Sequence, residues 1–293
     1  MCGCASEAPV DGLGCRALGW NADLVRWSSN GEWLAVGSMS PGRVVIMDWP
    51  DLEVLTEFDR AAGGGGWEIA GRSMAVDGDT AVSWMETNVL APRVEDMAAL
   101  WRASLDGSSA MFGRLPHPRF DGFFWVAGEL MAREATLGFN EARLVRLAMS
   151  AEADGRLSVH ALTEWRRDLG GWWVSRDGKH QVRSSPVEPG VATSLTIVID
   201  EEEQALNVSD AGEVVPMISP DGLTLIYRDT ATSTLMTAPL SDGDEAGLLS
   251  AREYFEGELS TGGVLAGVTG HGPGERNELC TERPTNLTPT PVP

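Results

Sequence analysis

Apolar runs and tight-turn residues alternate along this chain in a recurring frame. In Trp27-Ser28-Ser29-Asn30-Gly31-Glu32-Trp33-Leu34-Ala35-Val36, an apolar residue, Ser, one further residue, Asn and Gly precede a second apolar run. Val174-Ser175-Arg176-Asp177-Gly178-Lys179-His180-Gln181-Val182 repeats the frame, and so does Ile218-Ser219-Pro220-Asp221-Gly222-Leu223-Thr224-Leu225-Ile226-Tyr227. Asn-Gly and Asp-Gly tolerate the positive φ that two-residue hairpin turns need. The flanking apolar runs then read as paired strands. Each segment predicts a strand, a tight turn and a returning strand.

Weaker copies fill the gaps. Met74-Ala75-Val76-Asp77-Gly78-Asp79-Thr80-Ala81-Val82 keeps the turn, Phe123-Phe124-Trp125-Val126-Ala127-Gly128-Glu129-Leu130 keeps only the glycine, and Gly262-Gly263-Val264-Leu265-Ala266-Gly267 is fainter still. The predicted turn glycines are Gly31, Gly78, Gly128, Gly178, Gly222 and Gly262. They stand roughly 40–50 residues apart, the period of a four-stranded propeller blade. Third strands are expected at Val44–Asp48, Ala98–Arg102, Arg143–Leu147, Leu195–Ile199 and Thr234–Thr237. Outer strands are expected at Glu53–Thr56, Leu157–His160 and Ala205–Val208.

Ser219-Pro220-Asp221-Gly222 followed by Leu225-Ile226-Tyr227 resembles the Ser-Pro-Asp-Gly signature of TolB-type propeller repeats. Ser28-Ser29-Asn30-Gly31 and Ser175-Arg176-Asp177-Gly178 are near copies, and the period covers about residues 19–283. The resemblance, shared with WD-repeat propellers, implies an all-β fold: a single β-propeller of about six four-stranded blades. A β-sandwich with long hairpins is the alternative, but it does not require such a period. The expected organisation is a flexible N-terminal segment (1–13), the propeller (14–283) and a Pro-rich disordered tail (284–293).

A propeller must join its first and last blades or leave an open edge. Closure by an N-terminal strand would set Gly14–Leu18 beside Glu278–Glu282 and bring Cys15 near Cys280. The two are either a disulfide, which implies an oxidising compartment, or a pair of small apolar core residues.

Net charge changes the list of partners. At −21, with a pI near 4.5, the surface repels phosphate. Nucleic acid and anionic membranes are therefore set aside, while basic proteins and cations stay open. No run of 18 apolar residues suggests a membrane span. Met1-Cys2-Gly3-Cys4-Ala5-Ser6 resembles the end of a bacterial lipoprotein signal whose apolar part is missing, with Cys4 as the lipidated residue. That reading expects the cell envelope or secretion; a cytoplasmic protein with two ordinary cysteines is the alternative.

Candidate chemistry is sparse. An acid recurs a few residues before the first strand of five predicted repeats: Asp23, Glu68, Asp121, Asp168 and Glu213. Facing inward, they would form an acidic ring at one channel mouth, suited to Ca²⁺ or to a basic partner loop. Solvated carboxylates are the plain alternative. Trp67 and Trp172 lie near the same positions and suit sugar or peptide binding, or else packing between blades. His117-Pro118-Arg119-Phe120-Asp121 is the best catalytic cluster, since His, Arg and Asp could meet at a mouth for general acid–base work. No nucleophile elbow, His-Glu-x-x-His or phosphate loop occurs. No catalytic residue or resident metal is therefore assigned. The expected function is a monomeric, non-enzymatic scaffold presenting a channel mouth or rim to a protein partner. Glycan, small-ligand or Ca²⁺ binding is the first alternative, and a propeller hydrolase or lyase the second.

Overall fold

The computed structural model describes residues 13–39, 42–59, 67–88, 90–93, 97–137, 141–149, 155–167, 171–175, 178–184, 193–199, 202–209, 214–219, 224–229, 234–239, 247–250, 254, 256–260, 262–269 and 277–284. Among these, every regular element is a β-strand. No helix in them is long and apolar enough to cross a membrane.

The strands form six four-stranded antiparallel sheets. In chain order the first sheet holds β2 (Leu24–Trp27), β3 (Trp33–Ser38), β4 (Arg43–Asp48) and β5 (Val54–Asp59). The second holds β6 (Trp67–Asp77), β7 (Ala81–Asn88), β8 (Ala98–Ser104) and β9 (Ser109–Arg114). The third holds β10 (Phe120–Val126), β11 (Glu129–Ala135), β12 (Ala142–Met149) and β13 (Leu157–Ala161). The fourth is β14 (Gly171–Val174), β15 (His180–Ser184), β16 (Thr193–Ile199) and β17 (Glu202–Ser209); the fifth is β18 (Val214–Ile218), β19 (Thr224–Asp229), β20 (Thr234–Pro239) and β21 (Gly247–Ser250). The last holds β22 (Glu256–Leu259), β23 (Leu265–Thr269) and β24 (Glu278–Glu282), and its outer strand is β1 (Gly14–Ala17).

The first strands of the sheets lie side by side at the centre: β2 against β6 and β22, β10 against β6 and β14, and β14 against β18. Apolar clusters fill the seams between successive sheets. Leu24 and Ile46 meet Ile69 and Trp84, while Met85 and Leu100 meet Phe120 and Leu130. Further round, Phe124 and Leu144 meet Trp172, and Val182 and Ile197 meet Leu225 and Tyr227. Ile226 and Leu235 then meet Tyr254 and Leu265, and Val264 and Val268 return to Val25 and Trp27 of the first sheet. The chain is thus a single closed β-propeller whose core is a ring of seams rather than one central core.

The recurring Ser has a structural task. The Ser28, Ser175 and Ser219 hydroxyls accept the N–H groups of Trp33 (3.1 Å), His180 (3.0 Å) and Thr224 (3.0 Å), which open the second strands. These serines are buried, so the hydroxyl satisfies a donor that water cannot reach. Asn30 continues into Gly31 at φ 71°, whose N–H bonds Ser28 C=O at 3.2 Å. A fourth clamp, invisible in the frame, is Ser260: its hydroxyl accepts Val264 N–H at 3.0 Å across a turn one residue shorter. The left-handed turn residue there is Gly263, φ 73°, in place of the expected Gly262. The second and third sheets lack the Ser and turn more tightly, the third through Ala127 and Gly128 at φ 49° and 81°.

β1 pairs with β24 in the register Cys15↔Cys280, and a disulfide joins the two residues. The outermost strand of the last sheet is therefore the first strand of the chain, and the ring closes through it. Removing a native disulfide typically costs about 2–5 kcal/mol. Reduction, or Cys15→Ala with Cys280→Ala, is expected to lower unfolding stability by that order, read as a shift of the urea midpoint. An unchanged midpoint would show that the hydrogen bonds and side chains of the closure suffice. Ser28→Ala is expected to cost about 1–3 kcal/mol, because it orphans the buried Trp33 N–H; the same urea titration measures it.

Candidate functional site

The inner strands bring charge into the channel. Arg26, on β2 and 8 % exposed, forms an ion pair with Glu256 of β22. Its Nε donates to Met74 C=O of β6 at 3.2 Å, and its guanidinium lies 5.7 Å from the Trp173 ring of β14. One side chain thus touches the first strands of three other sheets. Beside it, Glu258 Oε2 accepts Trp27 N–H at 2.7 Å, and Glu258 C=O accepts the Trp27 indole N–H at 3.0 Å. Burial works to lower the Arg26 pKa, but Glu256 and Glu258 outweigh it, so the value lies above that of an ordinary arginine.

A cavity of about 40 Å³ adjoins these groups. Arg26, Trp27, Phe124, Trp125, Trp173 and Glu258 are among its lining residues. Trp27, Trp125, Trp173 and Glu258 stand at or near the C-terminal ends of β2, β10, β14 and β22. The cavity therefore lies toward the end of the channel opposite the loops that lead into the inner strands. A water needs roughly 10–15 Å³ of such space, so the cavity has room for a few waters.

The expected site residues are distributed differently. Asp23 is buried, and its Oδ2 accepts Met39 N–H at 2.7 Å, fastening the β3–β4 connection. Asp121 accepts two hydrogen bonds from Arg133, at 3.0 and 2.8 Å. Glu68 is exposed on β6, opposite Thr87. Among the described residues these three acids form no cluster at metal-sharing distance. The one such group there is Cys15, Glu278 and Cys280, whose sulfurs are bonded to each other. Trp172 is packed edge-on against Phe124, centroids 5.2 Å apart, in the seam between the third and fourth sheets. It is buried there instead of presented at a mouth. Trp67 opens β6 opposite Asn88, but its side chain, like Asp168, Glu213 and Cys4, lies outside the described residues.

His117 finds a different acid from the one its sequence neighbourhood suggests. Its Nε2 lies 2.9 Å from Glu134 Oε1 on β11, while Asp121 is taken by Arg133. Arg143 Nε donates to the other Glu134 oxygen at 2.7 Å. The Arg119 N–H donates to His117 Nδ1 at 3.3 Å, and the ring stacks on Phe120 with centroids 4.7 Å apart. With Nδ1 accepting, the ring hydrogen sits on Nε2 and points at Glu134. Both ring nitrogens are engaged, so the imidazole is a clamp on the third sheet. For Glu134 burial acts to raise the pKa, but the hydrogen bonds from His117 and Arg143 overcome it and hold the carboxyl below its ordinary value.

Among the described residues, four of the eight large exposed apolar side chains lie at the loop end of the molecule, the others being Val54, Leu55, Met111 and Met149. Leu90 and Leu137 are 73 % and 80 % exposed, and Leu162 and Trp165 are 48 % and 38 %. Leu137 joins β11 to β12, while Leu162 and Trp165 follow β13; Arg143 lies 4.5 Å from the Trp165 ring. Leu90 joins β7 to β8, and Leu115 N–H bonds Ala98 C=O at 3.1 Å, so this connection shares its end of the sheet with the His117 loop. Antiparallel pairing puts all four on one face of the second and third sheets.

No protein-family profile and no curated protein matches the chain. Among solved structures it is similar to TolB from Acinetobacter baumannii (15 % identity, TM-score 0.51, 92 % of this chain and 68 % of that one). It is likewise similar to the β-propeller domain of Cps50 (Swd1) from Myceliophteria thermophila (15 %, 0.51, 94 % and 88 %). Putative TolB from Agrobacterium tumefaciens matches at 12 % identity and TM-score 0.54, over 81 % of this chain and 87 % of that one. At these identities the likeness establishes the propeller fold alone.

Two predictions follow from the clamped charges. Removing one partner of a buried pair leaves the other uncompensated, at about 3–5 kcal/mol. Arg26→Met is expected to destabilise by that order, and adding Glu256→Gln to recover part of the loss, both read by chemical denaturation. Glu134 is lowered in the folded state, so its contribution is present above the unfolded pKa near 4.5 and is lost as pH falls through the folded value. Glu134→Gln is expected to flatten the decline of melting temperature below about pH 4.5; an identical acid limb in both proteins would show that the pair contributes nothing.

Proposed function

We propose that this protein is a non-enzymatic β-propeller binding protein that docks a protein partner on the loop face of its second and third sheets. The carrying observation is the exposure of Leu90, Leu137, Leu162 and Trp165 on that single face. Large apolar side chains gathered on one face among polar neighbours are a recurrent mark of protein docking sites. Trp is favoured as an anchor because it buries much area with little rotamer entropy. Arg143 beneath Trp165 and the Arg167–Glu141 ion pair (3.2 Å) border the patch and form part of a polar rim. The engagement of both His117 nitrogens argues against acid–base chemistry at this end. The Cys15–Cys280 bond supports residence in an oxidising compartment, the cell envelope or beyond it.

The test is affinity capture from source cells with wild type and with Leu90→Asp/Leu137→Asp. A stoichiometric partner retained by wild type and lost by the double variant, with melting temperature preserved, supports the reading. Equal retention by both proteins, or concentration-dependent self-association of wild type that the variant abolishes, overturns it; the second outcome would make the patch a contact between copies.

A further inference from the structure

From the closing strands we infer a metal site that the disulfide masks: once the Cys15–Cys280 bond is reduced, the two thiolates and the Glu278 carboxylate bind a zinc-like divalent cation. The inference does not depend on the loop face. Its geometric basis is the β1–β24 ladder. Cys15 and Cys280 are directly opposed, with Cα atoms 4.0 Å apart. Glu278 stands two residues from Cys280, so the strand period puts it on the same face, opposite Ala17. The two sulfurs and a Glu278 oxygen lie within 4.8 Å of one another. Among the described residues no other group of His, Cys, Asp and Glu side chains meets that spacing.

The donor set selects the ion. Two thiolates and one carboxylate suit zinc, and three protein ligands leave its fourth position to water. With Zn–S bonds of about 2.3 Å, the S···S edge of the tetrahedron is about 3.8 Å. The Cβ atoms of a bridged pair are themselves about 3.8 Å apart, so the sulfurs reach that edge by side-chain rotation with the strand pairing kept. Cys280 is buried among Tyr254, Leu259 and Leu265, whereas Cys15 and Glu278 are each partly exposed. An ion therefore enters from the Cys15–Glu278 side and stops against an apolar wall. Three negative charges beside that wall repel one another, and a dication removes the repulsion. The chemistry balances in two steps. A dithiol reductant gives the Cys15–Cys280 bond two electrons and two protons, yielding two thiols and the reductant's own disulfide. Zinc binding then expels the two thiol protons to solvent. The ion holds β1 on β24 in place of the S–S bond, so the ring stays closed in both redox states.

The test uses the full chain carrying Cys2→Ser/Cys4→Ser, which leaves Cys15 and Cys280 as its only cysteines. The protein is reduced with a phosphine under nitrogen, both thiols are confirmed free by titration, and Co²⁺ and then Zn²⁺ are added. Reduced protein is expected to take up one Co²⁺ with a thiolate-to-cobalt charge-transfer band and the visible bands of a tetrahedral ion. Zn²⁺ is expected to displace it, and the oxidised protein to show neither band. Zn²⁺ added to the reduced protein at pH 7 is expected to release about two protons and to raise the melting temperature, because a ligand of the native site stabilises by mass action. Glu278→Gln is expected to keep the charge-transfer band and weaken Zn²⁺ about tenfold or more. Absence of the charge-transfer band from reduced protein overturns the inference without reference to the Glu278 variant. The same band in oxidised protein, Zn²⁺ uptake with no rise in melting temperature, or full Zn²⁺ affinity in Glu278→Gln also overturns it. The loop-face reading stands or falls separately, on the capture experiment.

Discussion

Everything in this fold depends on joining the last sheet to the first. A ring of sheets has no central core to fall back on, and each seam exists only while its two neighbours are held in place. The closure is made at two radii. At the rim, β1 adds itself to β24 and the Cys15–Cys280 bond locks the pairing. At the axis, Glu258 binds Trp27 through a side-chain and a backbone acceptor, and Arg26 pairs with Glu256. Residues more than 200 positions apart are thereby adjacent, and a long loop closed covalently in the unfolded chain is the arrangement from which a disulfide gains most in the chain-entropy picture.

Charge at the axis is an unusual way to hold two sheets together. A buried ion pair of good geometry roughly breaks even against well-packed apolar residues, because desolvation consumes most of the attraction. Directionality distinguishes it. An apolar seam tolerates sliding, whereas the Trp27 N–H and indole N–H have acceptors only when β2 and β22 meet in one register. The seam alongside is specified by shape: Tyr254 lies so close over Gly267 that a Cβ there would come within 2.3 Å of its ring. Polar registry at the axis and steric registry beside it are complementary constraints on the same sheet.

The legible part of the sequence was the part that obeys local chemistry. Ser-x-Asn/Asp-Gly announces a hairpin because the Ser hydroxyl, the turn residue and the glycine act within a few positions of each other. The strands that follow those turns were readable from their apolar runs. Ser260 escaped because its turn is one residue shorter and Thr-Gly-Gly replaces Asp-Gly. The outer strand β9 escaped because an edge strand needs no apolar face: Ser109, Ala110 and Met111 are all exposed. The channel charges were illegible for a geometric reason. In Glu256-Gly257-Glu258-Leu259 the alternation reads as a half-exposed strand, yet both glutamates are buried because the polar side of an inner strand faces the axis. The acids that did attract notice, Asp23 and Asp121, are held by Met39 and Arg133, partners distant enough that only the fold brings them together.

The division of labour between the two ends follows from what each end must satisfy. At the axis Arg26, Trp27, Glu256 and Glu258 are each held by a neighbour in another sheet, so change there is limited by ring closure. The connections bearing Leu90, Leu137, Leu162 and Trp165 carry no such duty, and exposure of these side chains adds nothing to any seam. Apolar side chains that cost solubility without contributing to the fold are the positions where a binding partner leaves its trace. The axis is the converse case: the groups that line it are fixed by closure, Trp27 on Glu258 and Arg26 on Glu256. Propellers alike in backbone at 12–15 % identity can thus differ in every contact that matters for function.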